Sequence, residues 1–383
     1  MRLNESLIRQ PTKRLASDAD AHAIPFAEVC EHQSLTGFQP CVQDVGSHAI
    51  TDVDCHGLFR RTDCHRAIVT PVFLTNTAYR CIVNKVENPS KMRISEIDGQ
   101  KMTGDVREIV AGIGFTEGPI WTARQTLVVT SVSRGCLYEL DPFGDAGGVI
   151  RGQIETGGGP NGLAVDAAGR IYVAQNGGSG FPSRSSRPAL PGLQTVEGGE
   201  VVDFAISRTI APNDCAIGPD GALWFTDPGR DSDLGPRVLR WERDSDRLDV
   251  VADDLQFPNG LAFSSDGASL YIADSMSHEI VRYELSDRGL DRHSVFASVP
   301  GAGPDGMAFD QHGRLYVAAF ELDTVLVLDD SGRTSQRLAT GPHSRPTNLC
   351  FYGSALERLA ITLASGGRVV TSQPPSPGLA LFC

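Results

Sequence analysis

From residue 116 onward, apolar and polar positions alternate in short runs separated by turns, and the pattern repeats. One block recurs six times: TEGPIW at 116–121, PNGLAV at 160–165, PNDCAI at 212–217, PNGLAF at 258–263, PDGMAF at 304–309 and PTNLCF at 346–351. The second residues of the blocks fall at 117, 161, 213, 259, 305 and 347, so the intervals are 44, 52, 46, 46 and 42. After each block comes a second alternating run: TLVVTS, RIYVAQ, ALWFTD, SLYIAD, RLYVAA or RLAITL. The turns between them, such as DAAGR, GPDGA, SSDGAS and DQHGR, have hairpin chemistry. Further strands are visible in CLYELD, IVRYEL and TVLVLD. A period of roughly 40–50 residues built from short strands alone predicts an all-β, six-bladed β-propeller with one four-stranded blade per repeat. A solenoid or two packed sandwiches would not need six units in identical register. Only 36 residues follow Thr347, which is short for a blade, and VREIVAGI at 106–113 is placed to complete it and close the ring.

Residues 1–104 lack this period. They read as an irregular extension, or as translation assigned from too far upstream, with Met92 or Met102 as alternative starts. The pairs Cys55-His56 and Cys64-His65 raise the question of zinc, but their spacing matches no closed structural pattern. The expected domains are therefore 1–104, an extension, and 105–383, the propeller.

Rotation about a propeller axis brings equivalent positions together. The residues opening the six blocks, Glu117, Asn161, Asn213, Asn259, Asp305 and Thr347, should therefore form one ring at the channel mouth. All six carry side-chain oxygen, and none is Lys, Arg, His or Cys. Asn or Asp before Gly is ordinary turn chemistry. Glu is not, and two carboxylates brought together at an apolar-walled channel are costly without a cation. The ring thus predicts one divalent hard cation: Ca²⁺ first, with Mg²⁺, Mn²⁺ or Zn²⁺ as alternatives.

Charge sharpens the list of partners. The first 101 residues carry 12 basic and 12 acidic side chains, so the whole net charge of −13 falls on the remainder. That balance argues against nucleic acid or an anionic membrane as partner, and no apolar run is long enough for a membrane span. No secretory signal is evident at the N-terminus. The nine cysteines, five of them in the first hundred residues, are expected to be free thiols in a cytoplasmic protein. Cys215 and Cys350 fill small apolar slots and read as core. A monomer or small homo-oligomer acting on a small molecule is expected.

TEGPIW, PNDCAIGPDGALWFTD, PNGLAFSSDGASLYIADS, PDGMAFDQHGRLYVA and PTNLCF…LAITL resemble the family named for senescence marker protein (regucalcin), gluconolactonase and luciferin-regenerating enzyme, over about residues 105–383. Members are six-bladed propellers, often Ca²⁺-dependent lactonases, and diisopropyl fluorophosphatase shares the architecture. The resemblance implies Glu117, Asn259 and Asp305 as metal ligands, Asn213 as a fourth ligand or substrate amide, and Asp305 as the catalytic carboxylate. Asn161, Asp214 and Thr347 would face the substrate. One position departs from the pattern. Where members acting on sugar lactones have Arg two residues before the Asn matching 213, this chain has Ala211, with Arg208 further upstream. The longest insertion, 177–199, contains Arg184 and Arg187, either of which could supply the missing cation and make the loop a specificity element.

The expected chemistry is hydrolysis of a lactone or related small ester, with the metal polarising the carbonyl and Asp305 as general base. The same parts would serve a phosphotriesterase, and a non-catalytic metal- or protein-binding propeller is the third reading. G-x-S-x-G, H-E-x-x-H and P-loop motifs are missing. His278, His293 and His312 fall outside the ring positions, while His343 and Arg345 lie close enough to Thr347 to reach the mouth.

Overall fold

The computed structural model describes residues 106–383, apart from 145–146, 181–182, 230–232 and 287–288, together with a separate two-stranded hairpin, Ile68–Leu74 with Ala78–Asn84. The rest of the extension, including both Cys-His pairs, Met92 and Met102, lies outside the described residues. Within 106–383 the chain folds into six four-stranded antiparallel sheets, five of them laid out in chain order from an inner strand to an outer one. The inner strands are Thr116–Trp121, Pro160–Val165, Cys215–Ile217, Pro258–Phe263, Pro304–Phe309 and Pro346–Tyr352. This is the predicted six-bladed propeller. The sixth blade takes its outer strand from the N-terminal side: Arg107–Val110 pairs with Arg368–Ser372, matching Val110 to Val369 and Arg107 to Thr371. Closure leaves no unpaired edge between the first blade and the last.

The turns leaving the inner strands form for local reasons. Asp310 Oδ1 accepts the amides of His312 and Arg314, and Gly313 adopts the left-handed φ of +77° that this turn requires. Asp166 does the same for Ala168 and Arg170 in the second blade. Between the blades lie six apolar clusters, one at each blade-to-blade junction. One of them joins Leu127, Tyr138 and Ile109 to Cys350, Tyr352 and Val369 across the closure. Cys215 and Cys350 sit in these clusters as buried thiols, as expected. None of the described helices is long and apolar enough to cross a membrane.

The insertion differs from its sequence reading. GLQTVE, at Gly192–Glu197, is the third strand of blade two, paired with both Ile171–Gln175 and Glu200–Phe204. Its apolar residues, Leu193 and Val196, do not alternate, and it lies between Pro191 and the pair Gly198–Gly199, which hides it in the sequence. The loop proper is 176–191.

Candidate functional site

The ring residues stand where the inner strands begin, and the backbone there is irregular in a repeated way. In five blades the register with the second strand slips at the ring residue: between Glu117 and Ile120, Pro160 and Leu163, Pro258 and Leu261, Pro304 and Met307, and Pro346 and Asn348. In blade three the ladder starts only at Cys215. A bulge of this kind re-aims the side chain it carries. The loops leading into the ring are clasped by residues at the ends of the second strands. Gln175 accepts the amide of Gly159, Asp227 those of Ile210 and Ala211, and Asp274 those of Gln256 and Phe257. The Asp of WFTD and YIAD does this work, and its recurrence at the end of an apolar run was a readable signal that sequence reasoning passed over.

Glu117, Asn161, Asn259, Asp305 and Thr347 are all buried, and Asn213 is half-buried. Burial pushes the Glu117 carboxyl well above its ordinary value, and the neighbouring Asp305 and Asp214 push it further. Asp305 is raised in the same way, by burial first and then by Asp214 and Glu321. The structure therefore brings Glu117 and Asp305 together, as the ring alignment predicted, and among the described residues no cationic side chain is paired with either. Asn259 donates from Nδ2 to Ser275 Oγ at 3.1 Å and also bonds Asp305. Ser275 in turn donates to the carbonyl of Pro304 at 2.6 Å, which ties the Asn259 amide to the backbone beside Asp305. Asn161 Oδ1 is buried and has no hydrogen-bond partner among the described residues.

Two ring neighbours behave differently from the sequence expectation. Thr347 is fully buried, and its hydroxyl is engaged with the carbonyls of Thr116 and Thr362 and with the Thr362 hydroxyl. It braces blade six against blade one. Asn348, the next residue, was not singled out. The position after the ring residue reads Gly118, Gly162, Asp214, Gly260, Gly306 and Asn348, and its two polar members belong to opposite blades. Asn348 Nδ2 donates to Asp214 Oδ2 at 3.3 Å across the channel, and Asn348 also bonds Glu117. The glycines are required because the neck is tight: a Cβ on Gly306 would stand 2.1 Å from the Asn348 side chain, and one on Gly162 would stand 2.0 Å from Asp214 Oδ1. Burial raises Asp214 to about 6, while the amides of Cys215 and Leu261 and the Asn348 side chain pull the other way. With both its oxygens already hydrogen-bonded, Asp214 is a charge beneath the ring rather than an open ligand.

Among the described residues no cluster of three His, Cys, Asp or Glu side chains forms a metal cage. The ring pairs two carboxylates with amides instead, and the donor chemistry fits a hard divalent cation: buried negative charge without a cationic partner, and an amide oxygen without a donor. Of the two arginines in the insertion, Arg187 is committed to the carbonyl of Thr156 and to Asp203, whereas Arg184 is exposed and makes no described ion pair. His343 and Arg345 both have left-handed backbone and donate their amides to Asp323, and the Arg345 guanidinium stacks on Phe320 at 5.3 Å. His278 Nδ1 lies 2.7 Å from the carbonyl of Ala302.

Fold and ring together define a six-bladed propeller with a polar, carboxylate-bearing site on its axis. Residues 115–365 match the SMP-30/Gluconolactonase/LRE-like region, and the chain belongs to that family. It is 28% identical to a gluconolactonase of Zymomonas mobilis, over 64% of this chain and 75% of that protein. It is 30% identical to a 6-deoxy-6-sulfogluconolactonase of Pseudomonas putida, over 66% and 84% respectively. Among solved structures it is similar to a gluconolactonase from Xanthomonas campestris, with a TM-score of 0.60, 27% identity, and coverage of 73% of this chain and 96% of that one. A calcium-binding regucalcin from Agrobacterium tumefaciens shares the fold at 19% identity and a TM-score of 0.59, with the same coverage of both chains.

Proposed function

We propose that the chain is a divalent-metal-dependent lactonase that opens a small lactone or related ester. The observation that carries this reading is the buried Glu117–Asp305 pair, held together without a cationic side chain. Glu117, Asn213, Asn259 and Asp305 would hold the cation, Ca²⁺ before Mg²⁺, Mn²⁺ or Zn²⁺, because the donors are hard oxygens. Such a cation supplies Lewis-acid polarisation of the substrate carbonyl and stabilises the charge that develops on its oxygen. Asp305 then takes a proton from the attacking water and returns it to the ring oxygen as the acyl–oxygen bond opens. Burial favours the neutral form of this carboxyl, so its ionisation is coupled to occupancy of the ring. Asn259, anchored by Ser275, keeps the base in place.

On the substrate side, Asn213 is the most accessible ring residue and Asn161 has a free acceptor. Both suit a hydroxyl-bearing lactone. Asp214 and Thr347 support the ring instead of touching substrate. With Ala211 in place of an Arg, a cationic side chain at the mouth would have to come from elsewhere, such as Arg184 or Arg345, so the lactone need not be the one its relatives open. The test is a panel of lactones assayed with and without exhaustive chelation, followed by re-addition of Ca²⁺. Turnover that disappears with the metal and returns with it supports the reading, and turnover that survives chelation sinks it.

A further inference from the structure

Below the ring, the same six inner strands enclose a cavity of about 490 Å³. Its wall is formed by residues such as Leu163, Ile217, Phe263, Met307 and Phe351, and Leu379–Cys383 runs across the far end. The interior of a folded protein is close-packed, with few voids larger than a water molecule, whereas small-molecule pockets span roughly 300–1,000 Å³ and are mostly apolar. The space has a definite origin in the sequence. Three residues after the ring position the six blades carry Ile120, Ala164, Ala216, Ala262, Ala308 and Cys350, so four of six are alanine. Ala216 and Ala308 remain half-exposed although they belong to central strands. The roof is built rather than draped: Leu379 donates its amide to the carbonyl of Phe309, Gly378 to that of Leu356, and the Phe382 ring packs edge-on against Phe263 at 6.1 Å.

Charge decides what such a chamber accepts. Among the described residues no Lys, Arg or His lines it. Of its two side-chain carboxylates, Asp166 is paired with Arg170 and Arg243 at 3.1 Å each, and Asp214 belongs to the floor shared with the ring. A fatty acid or any other anion would bring a second negative charge into an apolar space without a partner. We infer that the chamber is a second small-molecule site, separate from the ring, which binds a neutral, apolar ligand between the alanine column and Leu379–Cys383.

Titration of the full chain with the neutral dye N-phenyl-1-naphthylamine should show one saturable site. The anionic 8-anilinonaphthalene-1-sulfonate should bind at least about tenfold more weakly. Ala308→Trp fills the chamber and should weaken the neutral dye by about tenfold or more, with lactone turnover within about twofold of wild type. Ala216→Leu gives the same test with a smaller change of volume. Independently of any variant, crystals of the wild-type protein soaked in 1-bromonaphthalene should show bromine density between Ala216 and Ala308. The inference is overturned if the wild type shows no saturable dye site, including the case in which the chain's own residues fill the chamber. Unchanged dye affinity in a folded variant, or bromine only elsewhere, overturns it too. Equal affinity for the two dyes overturns the neutral class.

Discussion

The two ends of the central channel are made by the same six strands, a few residues apart, yet they have opposite chemistry. Where the strands begin, two carboxylates and three amides are held in or beside a tight glycine neck. Three residues later, alanines and large apolar side chains leave an open space. The inner strands are irregular at the ring and pair regularly in the chamber, so the backbone already differs between the ends. What also differs is which side chains the neck admits. Four of the six neck positions are glycine, and the two that are not, Asp214 and Asn348, meet across the axis and separate polar from apolar. A propeller can thus carry a costly charged site because its neighbours brace it, and an apolar chamber because nothing charged needs to reach it.

The sharpest break between the ends would come from removing charge at one of them. Asp305→Asn keeps size and hydrogen bonding but removes the base, so kcat on a responsive lactone should fall by on the order of 10³-fold. Asp305 is also one of the two carboxylate ligands, so calorimetric titration should show Ca²⁺ weakened by on the order of 100-fold, and kcat is compared at saturating Ca²⁺. A kcat near wild type would end the assignment of Asp305. Glu117→Gln should weaken Ca²⁺ by a similar factor, on the order of 100-fold, because a neutral ligand again replaces one of two carboxylates, but should leave kcat at saturating Ca²⁺ within about tenfold of wild type. If Ca²⁺ binds Glu117→Gln as tightly as wild type, the metal is not held by the ring.

Next in size comes the neck itself. Gly306→Ala places a Cβ against Asn348, which is hydrogen-bonded to Asp214 and Glu117, and should cost about 1–3 kcal/mol while disturbing metal affinity. Gly313→Ala is the control. Its surroundings are open but its φ is +77°, so it should cost about 1 kcal/mol and leave the metal alone. Denaturant melts combined with Ca²⁺ titration separate the two, and equal effects on the metal would remove the neck from the site.

The metal-free protein should also show the carboxyl pair in its pH dependence. The folded-state values of Glu117 and Asp305 are raised above those of the unfolded chain. Their stability contribution is therefore complete below the unfolded pKa of about 4 and is lost as pH rises through the folded values. Asp305→Asn avoids that loss. Without metal it should melt at a temperature near that of wild type at pH 4 and several degrees higher at pH 8, and added Ca²⁺ should restore wild type at high pH. A melting gap that does not change with pH would mean that the pair is not strained in the absence of a cation.

Much of this was legible in the sequence, for a physical reason. A propeller maps sequence position onto rotation, so the six blocks gave both the blade count and the ring, and VREIVAGI declared itself as a strand needing a partner. What escaped was less periodic. Asn348 stands at a position that is Gly in four of the six blades, and its meaning depends on Asp214 in the opposite blade, a pairing no local pattern shows. The clasping aspartates Asp227 and Asp274 looked like strand ends. The third strand of blade two was lost among Gly and Pro, because its two apolar residues, Leu193 and Val196, are three apart and break the alternation of a strand.

Thr347 gives the smallest and most discriminating test of how position translates into role. By alignment it belongs with Glu117 and Asp305, and it resembles a residue that would touch substrate. Its hydroxyl lies 2.8 Å from the carbonyl of Thr116, the residue before Glu117, and 2.8 Å from the Thr362 hydroxyl. Thr116 reciprocates through bonds to the carbonyls of Leu363 and Arg368, so the seam between blades six and one is stitched from both sides. Thr347→Val is nearly isosteric and removes only the hydroxyl, at a cost of about 1–2 kcal/mol for leaving buried partners unpaired. Because none of the side chains proposed to hold metal or substrate changes, KM for the lactone should stay within about twofold of wild type. A raised KM with unchanged stability would instead return Thr347 to the substrate side of the ring and leave the seam to Thr116 alone.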